Sequence, residues 1–263
     1  MRFLKLSLCT GLVLNILAVS VANAEEGESK LSSEFGLMTT SGNTNTKSIK
    51  LAVDYTQDLE YWRNQFVFKG GAKRDRKEVT VESNGESKTV EQETTTSQKW
   101  FISGQSNYKL ENKREALFVY GSYEDDRFSG LKYESTFSIG YSRRFYETDE
   151  TTFDFDLGPG YRYGKNDDGS TRAGTLVRVA STFEHEFNPN ISFKHTASSK
   201  LPLRSGNGRD SNVQSNMDFS LVSKFNSSLA MKLSYSFKHN TSPEKDKEKL
   251  DTETSVTIVY TFG

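Results

Sequence analysis

The chain has 263 residues, a formal net charge of −1, three histidines, one cysteine and four prolines, with 34% hydrophobic and 12% aromatic residues. A mean hydropathy of −0.67 and the lack of a long apolar run beyond the N-terminus exclude a helical membrane protein, and the near-neutral charge offers no basic field for nucleic acid. What remains is rich in tyrosine, phenylalanine, threonine, serine and glycine, the composition of a β protein.

The first predicted element is a leader. Arg2 and Lys5 form a basic start, Leu6 to Val21 an apolar stretch, and Ala22-Asn23-Ala24 a small-x-small cleavage site followed by Glu25 and Glu26. The reading is a secretory signal over 1–24 and a single β domain over 25–263. Cys9 leaves with the leader, so neither disulfides nor cysteine catalysis are available to the exported chain. Its charge falls to about −3 once Arg2 and Lys5 are removed. Export without cysteine points to a bacterial envelope.

Alternating apolar and polar positions then predict twelve strands, at 31–40, 46–57, 62–73, 94–108, 115–124, 133–146, 151–164, 172–187, 191–203, 212–225, 229–239 and 251–262. The polar face carries charge along most of its length. Lys50 and Asp54 stand on it in the second strand, Arg63 and Lys69 in the third, and Lys99 in the fourth. The fourth and fifth strands are the least regular, because Phe101, Phe118 and Tyr120 fall on the face that is otherwise polar. The sixth contributes Glu134 and Arg144, and the seventh Asp154, Asp156 and Arg162. Arg178 and Glu184 follow on the eighth, Lys194 on the ninth, Asp218 and Lys224 on the tenth, and Lys232 on the eleventh.

The connections after even strands are tight: Asp58 to Tyr61, the residues around Asn112, Glu147 to Glu150, Asn188-Pro189-Asn190 and Asn226-Ser227-Ser228. Those after odd strands are longer and more polar: Arg74 to Glu93, Asp125 to Lys132, Lys165 to Thr171, Arg204 to Ser211 and Asn240 to Leu250, with Ser41 to Asn45 the short exception. An even count with short turns at one end and long loops at the other is the organisation of a transmembrane antiparallel up-and-down β-barrel of the bacterial outer membrane, with both termini on the periplasmic side. Hydrocarbon holds no water to satisfy backbone groups, so a sheet spans it only by closing on itself. Register is strongly specified: a one-residue slip of the eighth strand would turn Arg178 into lipid at a cost of about 2–4 kcal/mol. The outward ionisable residues Arg143, His185 and His239 lie near strand ends, and Tyr133, Phe145, Tyr163, Phe187 and Phe225 suit aromatic girdles against outer-membrane lipid. A soluble sandwich or lipocalin-like barrel does not need twelve strands of this length. Val256, Ile258, Tyr260 and Phe262 alternate towards the C-terminus like the aromatic-ended signal read by the barrel assembly machinery, although Gly263 follows the aromatic.

Several short motifs occur in order: Ser41-Gly42-Asn43-Thr44, Asp126-Arg127-Phe128-Ser129-Gly130-Leu131, Ile139-Gly140-Tyr141, Gly158-Pro159-Gly160-Tyr161-Arg162-Tyr163, and Asn240-Thr241-Ser242-Pro243 followed by Asp251-Thr252. Together they resemble the salt-induced outer-membrane protein family, domain of unknown function 481, over nearly the whole exported chain. The resemblance implies a barrel, an envelope location and a link to salt response. It supplies no catalytic residues, and the stretch Arg74 to Glu93 is longer than the family leads one to expect.

Barrel lipid hydrolases place histidine and serine at i and i+2, on one face of a strand. Here His185 is followed at that spacing by Phe187, His195 by Ala197 and His239 by Thr241. Lys194 and Lys200 near Ser198 invite a serine–lysine dyad but read as a solvated lumen. Asn166-Asp167-Asp168-Gly169 and the Asp125-Asp126 pair lack the spacing of a dedicated calcium loop. Gly158-x-Gly160 is followed by no helix, so it is not a phosphate loop and instead lets a strand bend or a large neighbour fit. No cofactor is read from the chain. The lumen itself, with about fourteen basic against about eleven acidic positions assigned inward by alternation, is the most informative chemical feature. A water-filled pore with a basic wall would favour small anions, whereas opposed Arg and Asp/Glu pairs capped by aromatics would close it. The expectation is a monomeric, non-enzymatic barrel acting as a narrow channel or a salt-stress envelope component. The alternatives are a non-conducting surface-interaction barrel and a lipid hydrolase.

Overall fold

The computed structural model describes residues 27–40, 45–83, 86–126, 131–203, 212–243 and 248–262; the predicted leader lies outside them. The strands are β1 (Glu28–Thr40), β2 (Asn45–Asp58), β3 (Trp62–Ser83), β4 (Glu86–Lys109), β5 (Glu115–Asp126) and β6 (Leu131–Glu147). They continue as β7 (Thr151–Asn166), β8 (Thr171–Asn188), β9 (Ile191–Pro202), β10 (Gln214–Lys224), β11 (Leu229–Asn240) and β12 (Leu250–Phe262). Each pairs antiparallel with its sequence neighbours, and β1 pairs with β12 from Leu31↔Phe262 to Phe35↔Ile258. The sheet is therefore a closed barrel without a free edge along its wall.

Burial is inverted relative to a soluble barrel. On β6, Phe137 and Ile139 point out and are 54% and 49% exposed, while Thr136 and Ser138 point in and are 3% and 0% exposed. This excludes the sandwich and lipocalin-like alternatives, whose inner faces are apolar. Aromatic rings line both ends of the outer face. At the long-loop end Trp100, Tyr123, Tyr133 and Tyr163 follow one another at ring separations of 4.9, 5.9 and 6.3 Å. At the short-turn end Trp62 meets Tyr108 edge-on at 5.1 Å, and Phe145, Phe153, Phe183 and Phe193 form a row.

The tight turns arise from local chemistry. The side-chain oxygens of Asn112, Asn188 and Asn226 each accept two backbone N–H groups of the residues that follow, so each turn is closed before any long-range pairing. At the other end, the predicted loop after β7 is a hairpin turn in which Asp168 accepts the backbone N–H of Ser170 and Gly169 adopts a φ of 85°. The Asp168 carboxyl is held below its usual range by hydrogen bonds from the Ser170 hydroxyl and backbone N–H.

Strands four and five form as expected, and Phe118 and Tyr120 do point inward. One expectation is corrected. The segment Arg74 to Glu93 is not a loop: β3 and β4 run on for 22 and 24 residues and, after one register shift between Lys73 and Arg74, stay paired to Ser83↔Glu86. The stretch is polar and charged along most of its length, which reads as a loop. The β-branched residues Val79, Thr80, Val81, Thr89 and Val90 supply the strand propensity instead. Its root is clamped where Glu93 accepts Arg76 at 3.0 Å and Lys47 at 3.2 Å, which holds the Glu93 carboxyl below the ordinary range.

The glycines of β6 and β7 permit a close approach between these strands. A Cβ on Gly158 would lie 2.1 Å from the Ile139 carbonyl oxygen, and one on Gly140 would lie 2.3 Å from that of Leu157. Gly158→Ala is therefore expected to destabilise the barrel by about 1–3 kcal/mol, as overpacking does. Gly121→Ala, where an added Cβ meets nothing within 4 Å, is expected to be neutral. Denaturant titration of the two folded variants in lipid measures the difference.

Candidate lumen site

Closing the barrel turns the polar face of every strand into one interior surface, where charges far apart in sequence meet. Among the described residues, ion pairs cross it at three levels between nearly opposite strands, with Lys238 of β11 meeting both Glu124 and Asp126 of β5. Asp54 of β2 faces Lys194 of β9 at 3.8 Å, Lys69 of β3 faces Asp218 of β10 at 3.7 Å, and Glu124 of β5 holds Lys238 of β11 at 2.5 Å. These pairs are stacked from the short-turn end towards the long loops.

On one side of the Glu124–Lys238 pair the interior is solid. Glu134, 1% exposed, accepts the Lys200 ammonium at 2.5 Å on one oxygen and the Gln214 amide at 3.0 Å on the other. Arg162, also 1% exposed, donates to the carbonyl of Asn212 at 2.9 Å. Phe118 and Leu176 are buried on the same wall, and Leu176 lies where a Cβ on Gly160 would come within 3.2 Å of it. Arg178 stacks over Tyr120 at 3.9 Å and pairs with Asp156 at 3.5 Å. The irregular inward aromatics of β5 thus serve as packing for an arginine. Arg162 and Arg178 face the interior, yet they are part of this packed wall and not of a wet surface.

The opposite side is wet. Lys50 and Lys99 converge on Glu253 at 2.8 and 2.6 Å, and Lys50 also donates to Ser255 at 3.0 Å. Although both point inward, the side chains of Lys69 and Asp218 remain 50% and 38% exposed. The accessible charges of this side thus lie in mid-barrel on β3, β4, β10 and β12, while the small inward residues Ala52, Ser220, Ser234 and Thr257 are buried. Near the short turns the charges are paired again. Asp154 takes the Arg144 guanidinium through two hydrogen bonds of 2.8 and 2.9 Å and faces Arg63 at 3.5 Å. Lys194 reaches Glu184 at 2.7 Å, Lys232 reaches Glu34 at 2.5 Å, and Lys224 stands on the inner face beside the turn after β10.

The residues that complete these clusters, Glu124, Lys200, Lys238 and Glu253, share the inward parity of their strands, which is the sequence signal that marks them. The three histidines all lie on the outer face. His185 hydrogen-bonds Thr151 at 2.8 Å, His195 stacks on Phe219 at 4.4 Å, and His239 is paired in the ladder with the outward Ser215. The lysines considered for a serine–lysine dyad are engaged by Glu184 and Glu134.

An apolar exterior, an ion-paired interior and a wall closed on itself define a membrane-spanning β-barrel with a charged lumen. The chain belongs to the family described as protein of unknown function, DUF481, whose sequence model matches residues 33–262. It is 24% identical over 177 residues to the uncharacterized protein YdiY of Escherichia coli (strain K12), a match covering 67% of each chain. Among solved structures it is similar to the NanC porin, at 10% identity over 88% of this chain and 98% of that one, with a TM-score of 0.49. It is also similar to an outer-membrane channel from Pseudomonas putida F1, at 8% identity over 92% and 97% of the two chains, with the same TM-score of 0.49.

Proposed function

We propose that the protein is a narrow channel of the bacterial outer membrane that passes small solutes with a weak preference for anions. The observation that carries this reading is the exposure of Lys69 and Asp218 in mid-barrel, because a packed interior would bury them as it buries Glu134 and Arg162. The anion preference follows from Lys50, Lys69 and Lys99 on the wet side, set against Asp218 and Glu253. The apolar belt and aromatic rows support the membrane location, and a single chain closes the wall, so a monomer suffices. With the histidines turned outward and the dyad lysines ion-paired, passage accounts for the interior better than catalysis does.

Purified protein reconstituted in a planar bilayer under a potassium chloride gradient is expected to show discrete current steps and a reversal potential on the chloride side. Folded barrels that never conduct would overturn the reading. They would favour the second one, a closed interaction barrel, for which the short Glu124–Lys238 pair and the packed wall beside it speak.

A further inference from the structure

We propose that the channel favours small zwitterionic solutes, molecules that carry an ammonium and a carboxylate close together, by exchanging its own cross-barrel ion pairs for pairs with the solute. The inference rests on the channel reading and deepens it.

Two of the cross-barrel pairs, Asp54–Lys194 and Lys69–Asp218, sit at 3.8 and 3.7 Å, longer than the hydrogen-bonded pairs around them. Their members remain partly or half exposed and belong to facing walls. Each pair therefore stands across the path of anything that moves along the wet side. Three of the four members also have a second partner that stays when the pair opens. Asp218 accepts the Ser236 hydroxyl at 2.5 Å, Lys194 keeps Glu184 at 2.7 Å, and Asp54 accepts the Gln65 amide at 3.1 Å. Lys69 swings on a flexible four-carbon stem. The pairs are thus built to part without unfolding the wall.

What replaces the lost attraction depends on the solute. A lone anion satisfies Lys69 but approaches Asp218 with like charge, and a lone cation does the reverse. An uncharged solute offers only neutral hydrogen bonds, the weaker kind. A zwitterion places its carboxylate on Lys69 and its ammonium on Asp218, so one protein pair becomes two protein–solute pairs and no charge is left facing its like. The same exchange is open at Asp54 and Lys194 further along the path.

Alanine and lactamide test this, because they match in heavy-atom number and shape and differ in charge separation. Vesicles carrying the full-length folded protein are placed in isosmotic alanine or lactamide, and swelling is followed over that of protein-free vesicles. Alanine is expected to enter about fivefold faster, the factor contributed by one extra partly solvated charge pair. The ratio is expected to fall towards one in Lys69→Met/Asp218→Asn, with folding of the variant checked by heat-dependent gel mobility. Equal or slower entry of alanine through the unmodified protein, alongside measurable lactamide entry and chloride current, overturns the proposal and leaves the channel reading standing. Absence of both current and swelling with every solute overturns the two together.

Discussion

Replacing Glu253 by glutamine is expected to strengthen the chloride preference of the reconstituted barrel by about fivefold. Glu253 is the shared partner of Lys50 and Lys99, and it is the acid that cancels most of their charge on the wet side. Glutamine keeps the shape and a hydrogen-bond acceptor but removes the negative charge, so two ammonium groups then face water with their field uncompensated. A unit charge at about 4 Å in a water-like medium contributes about 1 kcal/mol, which is about fivefold in a permeability ratio. The reversal potential under a salt gradient reads the change directly. Because these side chains are partly exposed, the effect is expected to shrink at high ionic strength, where the screening length shortens to a few ångströms. The converse variant, Lys99→Gln, is expected to move the reversal potential the other way. Unchanged selectivity in both would place the permeation path elsewhere in the interior.

Glu134→Ala is expected to lower stability by about 3–5 kcal/mol, the largest single-residue effect in the lumen. The reason lies in burial. Glu134 and Lys200 are 1% and 9% exposed, so removing the carboxylate leaves an ammonium without its counter-charge in a space that water does not readily enter. Gln214 loses its acceptor at the same time. Replacing both charged partners, as in Glu134→Met with Lys200→Met, is expected to restore most of the loss, because the desolvation of two ions disappears along with their attraction. Tryptophan fluorescence during denaturant unfolding in lipid measures this, since Trp62 and Trp100 stand on the outer face at opposite ends of the wall. A single variant as stable as the parent would show that water fills this side too, contrary to the packed wall. The corresponding change at the wet pair, Lys69→Met, is expected to cost less than about 1 kcal/mol, as partly exposed pairs do.

These two sites mark where sequence reasoning runs out. The strands, their faces and their tight turns were legible because each is governed by local chemistry or by period-two alternation. Lipid on one face and water on the other force Phe137 and Ile139 outward and Thr136 and Ser138 inward, and Asn112, Asn188 and Asn226 close their turns by bonding residues immediately beyond them. The β3–β4 ribbon escaped the same test, because its extension is polar and charged along most of its length and only cross-strand pairing reveals it.

By itself the sequence determined a twelve-stranded barrel with an apolar outside and a charged inside, since parity along the spanning part of each strand assigns its side chains to lipid or lumen. Only the tertiary structure decided which of those inward charges work together. Arg162 and Lys69 look alike by parity, yet one is buried against Asn212 ahead of β10 and the other stands half exposed opposite Asp218. That difference depends on which residues closure brings face to face across the barrel, and on where Gly140 and Gly158 let two strands approach. Neither is encoded in the spacing along any one strand.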